Sequence, residues 1–457
     1  MIKNEGATTT DEHSLSAQPH PELSVPELSG LAEKKTNGFA LLVNRVFAST
    51  ALILVALVIC LDQASHLANP LKYLAWQRVH PFQLTQASVL YKYSVLMSRQ
   101  STPDVLLFGT SMMIAPIYYC DTGICPASKP SLDRMSDLGL NLFQSYPEAI
   151  YLSDLLTHAL HRHVDVLTMT VPAAMVSDSK LLLSKLIQHG KAPKMVVYGI
   201  SPRDFIDNLI PPIGGTPTFK ALGDLSDLCA IGPAHLAPDI AQNLVVYSLS
   251  NYYRVRNDFR VLALEWSSKA FNRPRDLSES VSWQQTEAEH ATVRAPVGAP
   301  VGAAAGAAVG ATANHSKSSP IGSLTRQQQM VDYGLRYNPP NWKRFDQELQ
   351  QFVDLVHLCQ AKHIDLVVVN MPITPENKAL IDAKLYARYL DEVTRCTSTQ
   401  NVRFIDFQDS LPVSKADYLD TVHLNGQGGQ KFQDALAPLL AARLRVLTEH
   451  APKTGRP

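Results

Sequence analysis

Three side chains in this sequence have the types and neighbours that nucleophilic catalysis requires. Ser111 follows a short apolar run, DVLLFG at 104–109, and opens the segment SMMIAPIYY. Gly109 permits a sharp strand-to-helix turn, and a helix start favours developing negative charge. Near the other end, Asp417-Tyr418-Leu419-Asp420-Thr421-Val422-His423-Leu424-Asn425 sets an aspartate three residues before a histidine. That spacing lets a carboxylate hold one imidazole nitrogen while the other faces a nucleophile. Taken alone, each signal is weak. A serine at a helix start is also an ordinary N-cap, and an Asp-x-x-His match arises by chance about once in a chain of this size. Their placement in the fold is what gives them weight.

The elements that must position them alternate. Strands are expected at 104–109, 164–171, 194–200, 364–372 and 402–407. Helices are expected at 143–163, 180–191, 342–363, 377–396 and 427–447. Apolar strands separated by amphipathic helices imply a parallel sheet covered on both faces, a flavodoxin-like three-layer α/β/α sandwich. In such sheets ligands sit beyond the carboxyl ends of the strands. Ser111 ends the first strand, and Asp420 and His423 lie between the last strand and the last helix.

FGTSMM at the first strand and DTVHLNGQGG near the end resemble the first and last sequence blocks of SGNH (GDSL-like) hydrolases. The resemblance is to the membrane-anchored branch, which includes DltD-like and alginate O-acetyltransferase-like proteins, and it covers about 104–205 and 340–445. It implies an SGNH-type fold with Ser111 as nucleophile, His423 as general base and Asp420 as the group that orients His423. It also implies an oxyanion hole begun by the Ser111 amide. The second block's glycine is replaced here by Ala173 or Ala174, which is tolerable because only a backbone N–H is needed. The third block's asparagine is absent: the chain reads Gly199-Ile200-Ser201-Pro202-Arg203-Asp204-Phe205, and Asn370 or Arg203 would have to stand in. Arg203 and Asp204 have two readings: Arg203 grips a carboxylate or phosphate of a polymer substrate, or both residues pair with neighbours and lock the loop.

Residues 39–61, FALLVNRVFASTALILVALVICL, carry no charge from Val46 to Leu61 and approach the length that crosses a ~30 Å hydrocarbon core. A buried core helix would show polar positions at a 3.6 period, and a cleaved leader would begin nearer Met1 and end at a small-residue site. The expected reading is a signal anchor at 39–62. Lys34, Lys35 and Arg45 before it place the N-terminus in the cytoplasm and the main domain outside. The expected divisions are a disordered tail at 1–38, a helical connector at 63–103, the SGNH-like domain at 104–210 and 341–447, an insertion at 211–340 and a disordered tail at 448–457. The insertion holds an Ala/Gly/Val/Pro-rich loop at 295–320.

The chain has 457 residues, with 41 basic and 41 acidic side chains, so no basic stripe argues for nucleic acid. There are six cysteines without a Cys-x-x-Cys pair, and neither a metal nor a cofactor is expected. Cys120 with Cys125, or Cys359 with Cys396, are candidate disulfides, with inert thiols the alternative. His161, His163, His189 and His357 show no metal spacing. Tyr118, Tyr119, Tyr252 and Tyr253 read as packing or as a sugar-stacking surface.

Three functions compete. The first is an esterase or O-acyltransferase acting on an envelope polymer or exopolysaccharide, with a polytopic membrane acyl donor as the partner that the resemblance implies. The second is a catalytically silent SGNH scaffold that binds glycan or organises an export complex. The third is a metal-dependent phosphohydrolase using Asp420 and His423, which has few other Asp or His residues at strand ends to draw on.

Overall fold

The structure is a computed structural model that describes residues 49–64, 84–137, 140–224, 324–399 and 401–449, with short pieces at 226–227, 231 and 250. The expected tail at 1–38, residues 39–48 of the apolar segment, the connector before 84, the 295–320 run, Cys229, Tyr252, Tyr253 and residues 450–457 lie outside these. Contacts divide the chain into Met1–Leu61 and Asp62–Pro457.

Residues 49–64 are helical. Leu52, Ile53, Leu54, Val55, Leu57, Val58, Ile59 and Leu61 are all more than half exposed. At 1.5 Å per residue this helix is about 24 Å long. Among the described residues no helix is long and apolar enough to cross a membrane.

The second unit is α/β. Its five parallel strands are β1 (Val105–Gly109), β2 (Val166–Thr168), β3 (Met195–Ile200), β4 (Asp365–Asn370) and β5 (Val402–Asp406), in the order β2-β1-β3-β4-β5. Every residue of β1 to β4 is buried, as both-face coverage demands, and only the edge strand β5 is partly exposed. The helices used below are α1 (Leu84–Ser98), α2 (Ser111–Ile124), α3 (Ile150–Leu160), α4 (Val176–Gln188), α5 (Arg326–Tyr337), α6 (Trp342–Ala361), α7 (Ala383–Thr397) and α8 (Gly426–Glu449). Helices α2, α3 and α8 pack together, as do α4, α6 and α7, giving one helical layer on each face. In α6, Phe345, Glu348, Leu349, Phe352, Leu355, Val356 and Cys359 are buried, the i, i+3, i+4, i+7 stripe of a core-facing helix.

Several element boundaries depart from the sequence expectations for local reasons. The helix expected at 143–163 is split into Leu142–Ser145 and α3, because Pro147 lacks an N–H and disfavours helical backbone at Tyr146. Instead, the Pro147 carbonyl accepts the Thr168 N–H at 2.8 Å. The helix expected from 377 begins at Ala383, where Asp382 accepts the N–H groups of Lys384 and Leu385. The described parts of 211–340 pack on the same unit: helix Pro217–Leu222 lies against α1 and α4, and α5 lies against the short helix Arg203–Ile206. Cys60, Cys120, Cys125, Cys359 and Cys396 are free thiols, so neither candidate disulfide forms.

The strand order sets where a site can form. From β1 the chain passes to β2 on one side and then returns to β3 on the other. The carboxyl end of β1 is therefore a topological switch point, the place where ligands bind in open sheets of this kind. Ser111 sits there.

Candidate active site

Gly109 ends β1 with φ +137, in a backbone region that L side chains avoid. A Cβ there would lie 2.5 Å from the Gly199 carbonyl oxygen, so β1 and β3 approach more closely than a side chain would allow. Thr110 caps α2 through its hydroxyl, which accepts the Met112 N–H at 3.4 Å. Ser111 is the first residue of α2, so its N–H has no acceptor within the helix. Its side chain is buried, 6 % exposed, among the apolar residues that hold α2 on the sheet.

The loop after β5 brings the other two groups to it. His423 Nε2 lies 2.8 Å from Ser111 Oγ across 312 residues of chain. His423 Nδ1 lies 2.6 Å from Asp420 Oδ2, and Asp420 Oδ1 accepts the backbone N–H groups of Val422 at 2.8 Å and His423 at 2.7 Å. Burial by itself would raise the Asp420 carboxyl. The adjacent His423, together with these hydrogen bonds, outweighs burial and holds it below its ordinary value, so it stays a carboxylate. With Nδ1–H given to Asp420, Nε2 is left to accept the serine proton.

The loop carrying Asp420 and His423 is tied at several points. The Thr421 carbonyl accepts the Thr374 N–H at 3.1 Å and hydroxyl at 2.9 Å. The Thr421 hydroxyl accepts from Asn377 Nδ2 at 3.1 Å, and Asn377 Oδ1 accepts the Tyr337 hydroxyl at 2.9 Å. Asn425 then caps α8 by accepting the Gly428 N–H at 3.0 Å. Gly429 lets α8 lie directly on α2, since a Cβ there would meet the Pro116 carbonyl oxygen at 2.2 Å. That close approach seats α2, which starts at Ser111, against α8, which follows the Asp420–His423 loop.

The remaining candidates divide clearly. Val171-Pro172-Ala173-Ala174 form a turn in which the Ala174 N–H is taken by the Val171 carbonyl at 3.1 Å. Ala173, at φ +60, holds the position where such turns favour glycine. Asn370 is buried and fully engaged: its Nδ2 donates to Asp406 at 2.8 Å and its Oδ1 accepts the Tyr389 hydroxyl at 2.9 Å. Arg203 is also buried, with Nε on Asp207 Oδ2 at 2.7 Å, and Arg336 Nη1 reaches the same oxygen at 2.7 Å. Asp204 accepts the Ser201 N–H at 2.9 Å, and burial pushes its carboxyl up to about 7 against the pull of Arg203. Of the two readings of Arg203 and Asp204, their contacts follow the loop lock.

Sequence reading did not single out Lys92, Asn377, Tyr337 or Glu348, whose roles depend on partners far along the chain. Asn425 had a local signal, an Asn before a helix rich in Gly and Gln. Among the described residues no group of three or more His, Cys, Asp or Glu side chains gathers to hold a metal ion. A shallow depression beside β5, lined by Thr394, Ser398, Arg403 and Phe404 among others, has no histidine in its lining to activate a nucleophile.

The model of an uncharacterised family matches residues 343–445, the stretch that runs from α6 through the Asp420–His423 loop into α8. No curated protein matches the chain.

Proposed function

We propose that this chain is a membrane-anchored, extracytoplasmic serine esterase or O-acyltransferase of the SGNH type, acting on acyl groups of an envelope polymer or exopolysaccharide. The observation that carries the reading is the relay Ser111 Oγ–His423 Nε2 at 2.8 Å and His423 Nδ1–Asp420 Oδ2 at 2.6 Å. Ser111 Oγ attacks the ester carbonyl carbon as His423 takes its proton, and the carbonyl oxygen becomes an oxyanion facing the N–H groups of Ser111 and Ala173. Collapse breaks the bond to the leaving alcohol, which receives the proton from His423 and leaves an acyl-serine. Water or a sugar hydroxyl then gives its proton to His423 and takes the acyl group. The two acceptors distinguish esterase from transferase. Asp420 remains ionised throughout, orienting the imidazole and stabilising its charged form.

The anchor rests on the exposed apolar helix at 49–64 together with the uncharged residues from Val46. An extracytoplasmic site suits an envelope substrate and a polytopic partner that delivers the acyl group.

One observation favours the second reading, a silent scaffold. The third-block asparagine is missing, and the two groups named to replace it are held by other partners: Asn370 by Asp406 and Tyr389, and Arg203 through Nε by Asp207. The full-length protein in detergent, treated with a fluorophosphonate probe, decides between them. Labelling that is lost in both Ser111→Ala and His423→Ala supports the acyl-transfer reading. A folded wild type that takes no probe supports the scaffold.

A further inference from the structure

Lys92 is a buried lysine, 1 % exposed, on the inner face of α1 between Val89 and Leu96, which are also buried. Its Nζ donates to the Thr170 carbonyl at 2.8 Å and reaches the Thr170 hydroxyl at 3.2 Å. Among the described residues no carboxylate pairs with it. A lysine buried without a counter-ion costs stability, so its position calls for a reason.

The edge of the sheet supplies one. β2 is the edge strand beside β1. On its inner side, the Met169 N–H bonds the Leu107 carbonyl at 2.7 Å and the Val171 N–H bonds the Gly109 carbonyl at 2.9 Å. Alternate residues of a strand point their polar groups the other way, so Thr170 presents its carbonyl to the open edge. Earlier on that edge, the Thr168 N–H is met by Pro147. At Thr170 the partner is Lys92. The chain is thus gripped from both sides immediately before the turn at Val171–Ala174. That turn needs the grip, because Ala173 at φ +60 is strained and persists only where its surroundings over-determine it.

We propose that Lys92 is a positioning residue for the oxyanion hole: by holding Thr170 from the open edge, it keeps the Ala173 N–H aligned with the Ser111 N–H. The inference rests on the acyl-transfer reading of the site. Lys92 touches no reacting atom and acts only through Thr170 and the turn.

The test uses full-length protein in detergent and the fluorophosphonate probe, whose phosphoryl oxygen occupies the oxyanion position. Labelling rates against probe concentration separate kinact from KI. Lys92→Met keeps the side-chain volume and removes the donor, while Lys92→Arg keeps a donor. Because losing one oxyanion donor costs about 10²–10³-fold and a misaligned one less, Lys92→Met is expected to lower kinact about 10–100-fold with KI unchanged. Lys92→Arg is expected to restore part of the loss. A packing role alone predicts that Lys92→Met labels like the wild type, and that result overturns the inference. Should Lys92→Met fail to fold, Lys92→Leu removes the same donor to the Thr170 carbonyl with a different apolar side chain. A several-fold fall in kinact supports the inference, and a wild-type rate overturns it. A folded wild type that takes no probe at all overturns the acyl-transfer reading and this inference with it, whereas a labelled wild type with unaffected variants overturns this inference alone.

Discussion

Val171 donates its backbone N–H to the carbonyl oxygen of Gly109 at 2.9 Å. Two residues beyond Gly109 is Ser111, and two residues beyond Val171 is Ala173, so one ladder bond ties together the segments that lead into these two residues. Ser111 is thus placed from the end of a sheet strand, where positioning is more precise than on a loop, while Asp420 and His423 depend on the ties of their loop. Changes that disturb the end of β1 should therefore reach the site even when the triad residues are intact.

Gly109→Ala is the direct check. The added methyl would face the Gly199 carbonyl at 2.5 Å with the backbone at φ +137, so either β1 shifts or the residue stays strained. Strain and overpacking together are expected to cost roughly 3 kcal/mol. Urea unfolding should show a lower midpoint with an unchanged slope, and the folded fraction should label more slowly with fluorophosphonate. A variant as stable and as reactive as the wild type would show that the Gly109–Gly199 approach is not needed.

Asp420→Asn tests the orienting carboxylate. An asparagine can keep the backbone contacts to Val422 and His423 but favours the wrong imidazole tautomer, so labelling should fall about 10³–10⁴-fold in a folded protein. A stability signature accompanies it. The folded Asp420 carboxyl sits below its unfolded value, so its contribution is present above the unfolded pKa of about 3.9 and is lost as pH falls through the folded value. Acid unfolding followed by circular dichroism should be less steep in this window for Asp420→Asn than for the wild type.

Asn377→Ala tests the support behind the loop. It leaves the buried Tyr337 hydroxyl without its acceptor and the Thr421 hydroxyl without its donor, at an expected cost of about 1–3 kcal/mol. The loop that carries Asp420 and His423 loses one of its ties, so the labelling rate should fall severalfold. Thermal unfolding and probe kinetics on the same sample read both effects. Reduced stability with an unchanged rate would mean that Thr374 alone holds the loop.

These supports also mark how far the sequence could be read. The strands, their alternation with helices and the positions of Ser111, Asp420 and His423 were visible because each depends on a local pattern: an apolar run, a glycine, a three-residue spacing. Proximity of Ser111 to His423 followed from the rule that sites form at strand ends. Lys92, Asn377 and Tyr337 left no such mark. Lys92 meets a partner 78 positions away, and the Tyr337–Asn377–Thr421 chain spans 40 and then 44. A lysine or asparagine in a helical pattern reads as solvated until the fold supplies its neighbour. The loop lock at Arg203 was half visible: Asp207 stands four residues on, at the spacing of a helical ion pair, but Arg336 arrives from α5.

Glu348 provides a pH signature independent of the catalytic groups. Reaching from α6 with its side chain fully buried, it accepts the Ser177 N–H at 2.8 Å and the Ser177 hydroxyl at 3.1 Å, capping the first turn of α4. Burial pushes its carboxyl up to about 8, while the Ser177 contacts and the charge of Arg344 pull it down. A folded pKa above the unfolded ~4.3 means that the native state binds the extra proton, so this group makes stability fall as pH rises between the two values and then level off. Asp178, next to Ser177 and pushed by burial to about 6, acts in the same direction over the lower part of that range. Glu348 and Asp178 therefore favour a higher urea midpoint at pH 5.5 than at pH 8.5, while Lys92, whose pKa burial lowers, works the other way. Glu348→Gln mimics the protonated form, so it should keep the wild-type midpoint at pH 5.5 and exceed it at pH 8.5. A variant that tracks the wild type at both pH values would show that Glu348 does not titrate in this range, with Asp204, raised to about 7, the next group to replace.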